Sequence, residues 1–351
     1  MEKIKLNETP VRTSRNFNIN NIKLENVKMP EEYKEFRNAE IISNEKISEE
    51  VSSINLTYGL SQDLSKQVQE NANQKIRVEI NKNSNQETNI NFEFDSKNSD
   101  LIENIEICAN ENSKGTIIIK YLSEDDIECY HNGILRVEAK NNSNINIILV
   151  NLMNTKSQNF MAIQNNLDDN AKVNYTIIDF GGKNSITNYY SNILGENADN
   201  RLDTIYLGKE NQLFDLNYIG ELRGAKSNID IEVQGALKDT AKKHFKGTID
   251  FKKGCKKATG NENEACMLLS DTAKSLALPM LLCSEEDVEG NHSSSAGKIG
   301  EKELFYIMSR GFELKEAMKL MVRAKFNKIL ENVQNEELKE MLLKEIDKKL
   351  D

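Results

Sequence analysis

Closely spaced cysteine is missing from this chain. Its five cysteines stand at positions 108, 129, 255, 266 and 283, with no Cys-x-x-Cys pair among them. An odd, scattered set speaks against a disulfide framework, and it lacks the ligand spacing of a zinc site or a ferredoxin-type cluster. From burial habit alone, each reads as a small hydrophobe kept reduced. Long apolar runs are missing too: stretches such as Leu276–Cys283 fall far short of the ~20 residues a membrane span needs. The opening Met1-Glu-Lys-Ile-Lys-Leu6 carries no apolar core of a secretory signal, so the expected location is the cytoplasm. Basic charge is in deficit, with 46 basic against 56 acidic residues and a formal net charge of −10. Such a surface repels phosphate backbones, which disfavours nucleic acid as a partner. No Gly-x-x-x-x-Gly-Lys-[Ser/Thr] loop occurs, so the chain cannot supply its own P-loop ATPase. Proline occurs three times, and never between Pro30 and Pro279.

What is present is ordinary globular material. The chain has 351 residues, 38% hydrophobic and 29% charged, enough for one large domain or two to three smaller ones. Residues 1–75 are mixed, with an extended polar opening and a helical stretch near Leu60–Asn73, where Leu60, Leu64 and Val68 recur at i, i+4, i+8. From about 76 the texture changes to short alternating apolar runs, among them Ile76/Val78/Ile80, Ile90/Phe92/Phe94, Ile117/Ile119/Tyr121, Val173/Tyr175/Ile177 and Ile229/Ile231/Val233. Asn, Asp, Ser, Gly and Lys separate them, the pattern of many strands and almost no helix. Sandwiches, propellers and solenoids all produce it. A spacing of roughly 12–15 residues, mostly without Asn-Gly hairpin turns, leans towards a stacked solenoid or parallel β-helix. No crisp repeat motif accompanies that spacing. The many Asn at the turns fit stacked ladders and fit compositional bias equally well.

The last segment returns to a helical period. Glu301–Arg310 reads as a short helix ended by Gly311. Leu314, Ala317, Met318, Met321, Val322, Ile329, Leu330 and Val333 mark a long amphipathic helix, and Asn335 can cap a third. Such helices can close the end of a solenoid, can dock a partner, or can do both. The Met-rich face (Met308, Met318, Met321) is ordinarily core, although exposed Met makes an adaptable partner surface.

Residues from about 228 to 330 resemble the core of the SufB/SufD family of iron–sulfur cluster assembly scaffolds. The segment Ile231–Ile249, closing on Phe245-Lys-Gly-Thr-Ile249, is similar to the family's strand–turn–strand, and Met267-Leu-Leu-Ser-Asp271 to its Leu-rich Ser-Asp run. Leu278-Pro-Met-Leu281, Glu286-Asp-Val288, His292, Gly297-Lys-Ile299, Leu304-Phe-Tyr306 and Ser309-Arg-Gly311 follow in family order and spacing. Pro10-Val-Arg-Thr-Ser14 and Asn21-Ile-Lys-Leu-Glu25 look like its N-terminal segment.

The resemblance implies a mainly β chain: a right-handed parallel β-helix over 76–298, flanked by an N-terminal region (1–75) and a C-terminal helical domain (299–351). It also implies a scaffold rather than an enzyme, paired with a SufB-like subunit or with itself. An ABC-type ATPase, SufC, would dock on the C-terminal helices, for which Phe305, Tyr306, Arg310, Gly311, Leu314 and Met318 are the candidate contacts. The cargo would be a transient iron–sulfur cluster at the subunit interface, with no tightly bound cofactor. In the family a histidine at the place of His292 is a proposed cluster ligand, and neutral imidazole is a reasonable iron ligand. A hydrogen-bonded surface histidine is the plain alternative. Two departures matter. SufD proteins often carry Cys where this chain has Gly290, and SufB proteins tend to have Glu where it has Ser293. The essential SufB cysteine just before the matching Pro279 is also missing, since Asp271–Leu278 contains none, which favours a SufD-like role. Cys266 and Cys283 flank the region as weaker thiolate candidates. His131 and His244 have no motif behind them and read as structural, and the basic run Lys238–Lys246 reads as a solvated turn. The competing functional class is a β-helix carbohydrate-active enzyme of the polysaccharide lyase kind, which needs clustered Asp for calcium and usually secretion. A structural solenoid of a surface assembly would likewise need export.

Overall fold

The computed structural model describes residues 3–12, 19–25, 27–30 and 32–351. Thr13 and Ser14, the end of the Pro10–Ser14 segment, lie outside them.

The alternating runs become strands because each coil turns one apolar row inward. Two sheets of nine strands result, and in each sheet eight strands are mutually parallel and come from alternate positions in the chain. The chain therefore winds through eight coils, each laying one strand in either sheet, as a β-solenoid. The inward rows are apolar over most of its length; Ile76, Ile105, Leu135, Ile163, Tyr189 and Tyr218 all belong to one continuous buried core.

One corner of the coils carries a repeat that a consensus reading misses. Asn83, Asn112, Asn142, Asn170, Asn197, Lys226 and Lys257 all have φ near +60° and lie 27 to 31 residues apart. Their amides stack coil on coil, as in Asn112 N–H to Asn141 O at 3.0 Å and Asn142 N–H to Asp169 O at 2.9 Å. Asn tolerates the left-handed region better than other side-chain-bearing residues, which accounts for its abundance at this corner.

The two ends of the rod differ. At its start, Ala39–Ser43 pairs antiparallel with Asn85–Phe94 and Ile47–Ser48 with Gln74–Ile80, so both sheet edges are covered. At its finish, Lys274–Cys283 and Val288–Lys298 are the outermost strands of their sheets, with no strand beyond them among the described residues.

Flanking segments clothe the outer faces. The second sheet, which contains Gln74–Ile80, is crossed by an extended stretch of residues 51–60. Ser52 N–H meets Glu106 Oε2 at 2.8 Å, Arg136 Nη1 donates to Ser53 O at 3.0 Å, and Thr57 N–H reaches Gln164 Oε1 at 2.7 Å. Glu106, Arg136 and Gln164 are register neighbours on successive coils, so this stretch runs along the rod and ties coils together. Helix α1 (Gln62–Asn71) follows, its start capped by Ser61 Oγ accepting from Leu64 N–H. Its Leu64 and Val68 pack on Ile102, Tyr130 and Phe160. The other sheet carries α3 (Leu314–Leu330) and α4 (Glu336–Leu350), after the short α2 (Glu301–Ser309). Val322, Phe326, Ile329, Leu342 and Ile346 cover Ile118, Ile148, Ile178, Phe180 and Ile205, an apolar stripe on the sheet's outside. Asn335 caps α4 by accepting from Leu338 N–H, and Gly311, at φ +98°, ends α2. Among the described residues no helix is long and apolar enough to cross a membrane.

Candidate functional site

The finishing end of the rod is where most of the candidate residues gather. Val288–Lys298 is exposed along its length after the first residue. It has one neighbour, Ala258–Leu268, so the backbone groups along its other edge have no strand to pair with. His292 stands on this strand, opposite Glu262.

The inward rows change character as they approach this end. One row reads Ile117, Ile147, Tyr175, Leu202, Ile231 and then Glu262, His292. The next reads Ile119, Leu149, Ile177, Thr204, Val233 and then Glu264, Ser294. In these two rows the last two coils thus carry acid, imidazole and hydroxyl where the earlier coils carry Ile, Leu, Val, Tyr and Thr.

Glu264 is fully satisfied. It accepts from Lys243 Nζ at 2.6 Å, from the Tyr206 hydroxyl at 3.2 Å and from Ser294 Oγ at 2.8 Å. Lys243, also fully buried, spends a further hydrogen on Leu276 O at 3.3 Å. Glu262 is the opposite case. It is 2% exposed, and among the described residues neither carboxyl oxygen has a hydrogen-bond partner. Burial, helped by the neighbouring Glu264 charge, pushes its carboxyl up to about 8. The carboxyl reaches across the interior to the facing sheet, where a Cβ on Gly247 would collide with it. A side chain at 247 would have to displace that carboxyl.

The thiols are dispersed. Cys266 is buried beside Tyr206 and below Ala296; burial raises its thiol, and the Lys243 ammonium works against that shift. Cys283 is exposed at the end of its strand, with Sγ donating to Glu285 O at 2.9 Å. Burial pushes Cys108, Cys129 and Cys255 up to about 11, so none of them offers a ready thiolate. The structure puts His292 and Cys283 on the same terminal coil but in different sheets, and Cys266 one coil back. Among the described residues no three His, Cys, Asp or Glu side chains converge as a metal site.

The helical candidates are open to solvent. None of the residues of α2 is buried, and Phe305 is 74% exposed. Tyr306, Met308, Phe312 and Leu314 are exposed beside it, while Met318 is half-buried where α3 begins to meet the rod. Arg310 donates to the Tyr306 hydroxyl at 2.8 Å with its guanidinium 5.0 Å from that ring's centre, which holds both side chains in place.

One sequence expectation needs correction. The basic run is not a solvated turn: Lys243 and Lys246 are fully buried and paired at 2.6 Å with Glu264 and Asp215. Alternation within the strand Lys242–Phe251 places these two on opposite faces, one inside the rod and one beneath the N-terminal segment. The acids of the terminal core carry no motif in the sequence. A signal for them exists, since Glu262 and Glu264 fall 31 residues after Ile231 and Val233, one coil later in the same rows. His131 is buried between Glu103 Oε1 at 3.2 Å and Asn159 Oδ1 at 2.6 Å, a polar cluster inside the early coils of the rod. His244 lies 3.5 Å from Asp215.

Comparison with known proteins points one way. Residues 92–325 match the family described as SUF system FeS cluster assembly, SufBD core domain. The chain is 23% identical over 258 residues to an iron–sulfur cluster assembly protein SufD of Bacillus subtilis (strain 168), covering 73% of this chain and 59% of that one. With SufD of Escherichia coli (strain K12) it shares 22% identity over 240 residues, 68% of this chain and 57% of the relative. An iron–sulfur cluster assembly SufBD family protein of Pyrococcus horikoshii is 30% identical over 163 residues, 46% of this chain and 35% of the relative. The chain spans about a third to three fifths of the length of these curated relatives.

Proposed function

The chain belongs to the SufBD core-domain family of the SUF iron–sulfur cluster assembly system, nearer to SufD than to SufB, and on that premise we propose that it is a SufD-like scaffold subunit. In this reading it does no catalysis of its own and works in the cytoplasm. It pairs with a SufB-like subunit, or with a second copy of itself, and the pair holds a transient iron–sulfur cluster as cargo at the seam. A SufC-like ABC-type ATPase docks on the helical segment 299–351, next to a rod at 76–298 and an N-terminal region at 1–75.

The observation that carries the reading is the asymmetry of the rod. Antiparallel strands cover both sheet edges at its start, and both edges are bare at its finish. A long bare edge is a template for another chain's strand, and soluble proteins rarely leave one without use. His292 and Cys283 lie on that end and would offer one imidazole and one thiol to iron, alongside ligands from the mating subunit. Cys266, being buried, is the weaker of the two thiols for this role.

The helices support the ATPase half of the reading. Phe305, Tyr306 and Leu314 expose apolar and aromatic surface of the kind that anchors interfaces. Arg310, Gly311 and Met318 frame it.

The test is co-expression with SufB-like and SufC-like partners, followed by affinity capture and native mass measurement. A complex containing the ATPase is expected; a chain that captures none overturns the docking assignment. Point variants serve better than deletion of 301–351, because α3 and α4 cover Ile148, Ile178 and Ile205 and their loss would bare the rod itself.

A further inference from the structure

We propose that Glu262 is a landing point for divalent iron at the open end of the rod, with His292 beside it as a nitrogen donor. This rests on the scaffold reading and names the form in which metal arrives there: a bare divalent ion held by oxygen and nitrogen, not by thiolate.

The first argument is the cost of Glu262 as it stands. Among the described residues it is the one acid with both carboxyl oxygens buried and unpartnered. Other buried acids have donors: Glu264 has Lys243, Asp215 has Lys246, and Asp179 has Ser185 and Asn151. A carboxyl stripped of water and given nothing in return is destabilising. Ile231 fills the equivalent place one coil earlier, so packing did not demand an acid there. A residue that costs stability without a structural return marks a site kept for a ligand.

The second argument is access. The carboxyl lies against Gly247, whose missing side chain leaves it its place, while Ile249, Phe251 and Leu281 fill the space beside Gly260 and Gly290 in the adjoining row. The strand bearing His292 and Ser294 is the last one and is exposed, so an ion reaches the carboxyl past a single layer.

The third argument is donor chemistry. Glu262 and His292 are register partners on adjacent parallel strands, about 4.8 Å apart and in the same row. Lys243 already neutralises Glu264, and among the described residues no cation pairs with Glu262. One carboxylate and one imidazole favour a divalent transition metal over magnesium or calcium, which take oxygen donors. Two protein ligands leave coordination positions for water or for a mating subunit, suiting a hand-over point better than a store.

The test uses the full-length protein under anaerobic conditions, with Co(II) followed by its visible absorption and Fe(II) by calorimetry. One ion per wild-type chain is expected. Glu262→Gln and His292→Ala should each weaken Co(II) binding at least about tenfold. Asp271→Asn, at an exposed acid paired with Lys298, should bind as wild type. Glu262→Gln should melt no lower than wild type, so that lost binding is not unfolding. Wild-type affinity in Glu262→Gln, or no binding by the wild type, overturns the proposal. ATPase capture measured on the same preparations separates the two readings. Capture with unaltered Co(II) binding in Glu262→Gln removes this site alone, and Glu262-dependent binding without capture removes the docking assignment alone.

Discussion

The Lys246 ammonium donates to Asp215 Oδ1 at 2.6 Å and to the main-chain carbonyl of Asn7 at 2.9 Å, with both charged side chains fully out of solvent. Residue 7 thereby closes over a pair 208 and 239 positions further along the chain. The Asn7 side-chain amide adds a bond to Asp215 Oδ1 at 2.6 Å and one to Thr187 O at 3.0 Å. Burial lowers the Lys246 amine and the Asp215 charge opposes that shift, so the ammonium depends on its carboxylate. With residues 51–60 lying along neighbouring coils, the N-terminal region fastens the rod from outside.

Asp215→Ala should be severe. It leaves a buried ammonium without its counter-charge, a change worth about 3–5 kcal/mol. Urea unfolding measures it, and hydrogen exchange should show the segment around Asn7 opening first. A loss below about 1 kcal/mol would mean that water reaches Lys246.

Lys349→Met should stabilise. The Lys349 amine is buried under α4, donates to Gln212 Oε1 at 3.0 Å, and is lowered by burial, with the Lys209 charge adding, to about 7. The unfolded amine keeps its proton up to its ordinary 10.5, so between about 7 and 10.5 the unfolded chain binds more protons and stability rises with pH. Below about 7 this contribution is flat. The Met variant should lose the slope and gain about 1–3 kcal/mol at pH 7. Parallel pH profiles for the two proteins would contradict the assignment.

Asn142→Ala tests the stacked corner. With φ at +60° an alanine there is strained by about 1–2 kcal/mol, whereas Asn142→Gly should come within a few tenths of wild type. Thermal melting of the two variants side by side decides it.

Two surface variants separate docking from cluster chemistry. Phe305→Ala, at a side chain 74% exposed, should melt as wild type yet weaken ATPase capture by roughly tenfold or more. His292→Ala should also keep the fold, retain capture, and slow cluster assembly by the complex. Wild-type assembly rates in that variant would remove His292 from the chemistry.

Much of the architecture could be read from local pattern. Ile76/Val78/Ile80 and the runs after it alternate because strands do, and they form strands. Leu64 and Val68 predict α1, Gly311 closes α2, and Asn335 opens α4. The site was only partly legible. His292 came from resemblance to a family, and its neighbour Glu262 passed unnoticed because one Glu in an Asn- and Glu-rich strand looks like any solvated side chain.

Which residues alternate, where helices begin and which corners bend are short-range questions, and the amino-acid order of this protein answered them alone. Which alternate face points inward, that Lys243 and Lys246 lie buried on opposite sides of one strand, and that the row of Ile231 ends in a buried Glu262 were decided by the stacking of coils 27 to 31 residues long. The physical reason is that burial belongs to pairs of residues brought together by register. A strand read by itself carries its own period and says nothing of the strand that will lie against it.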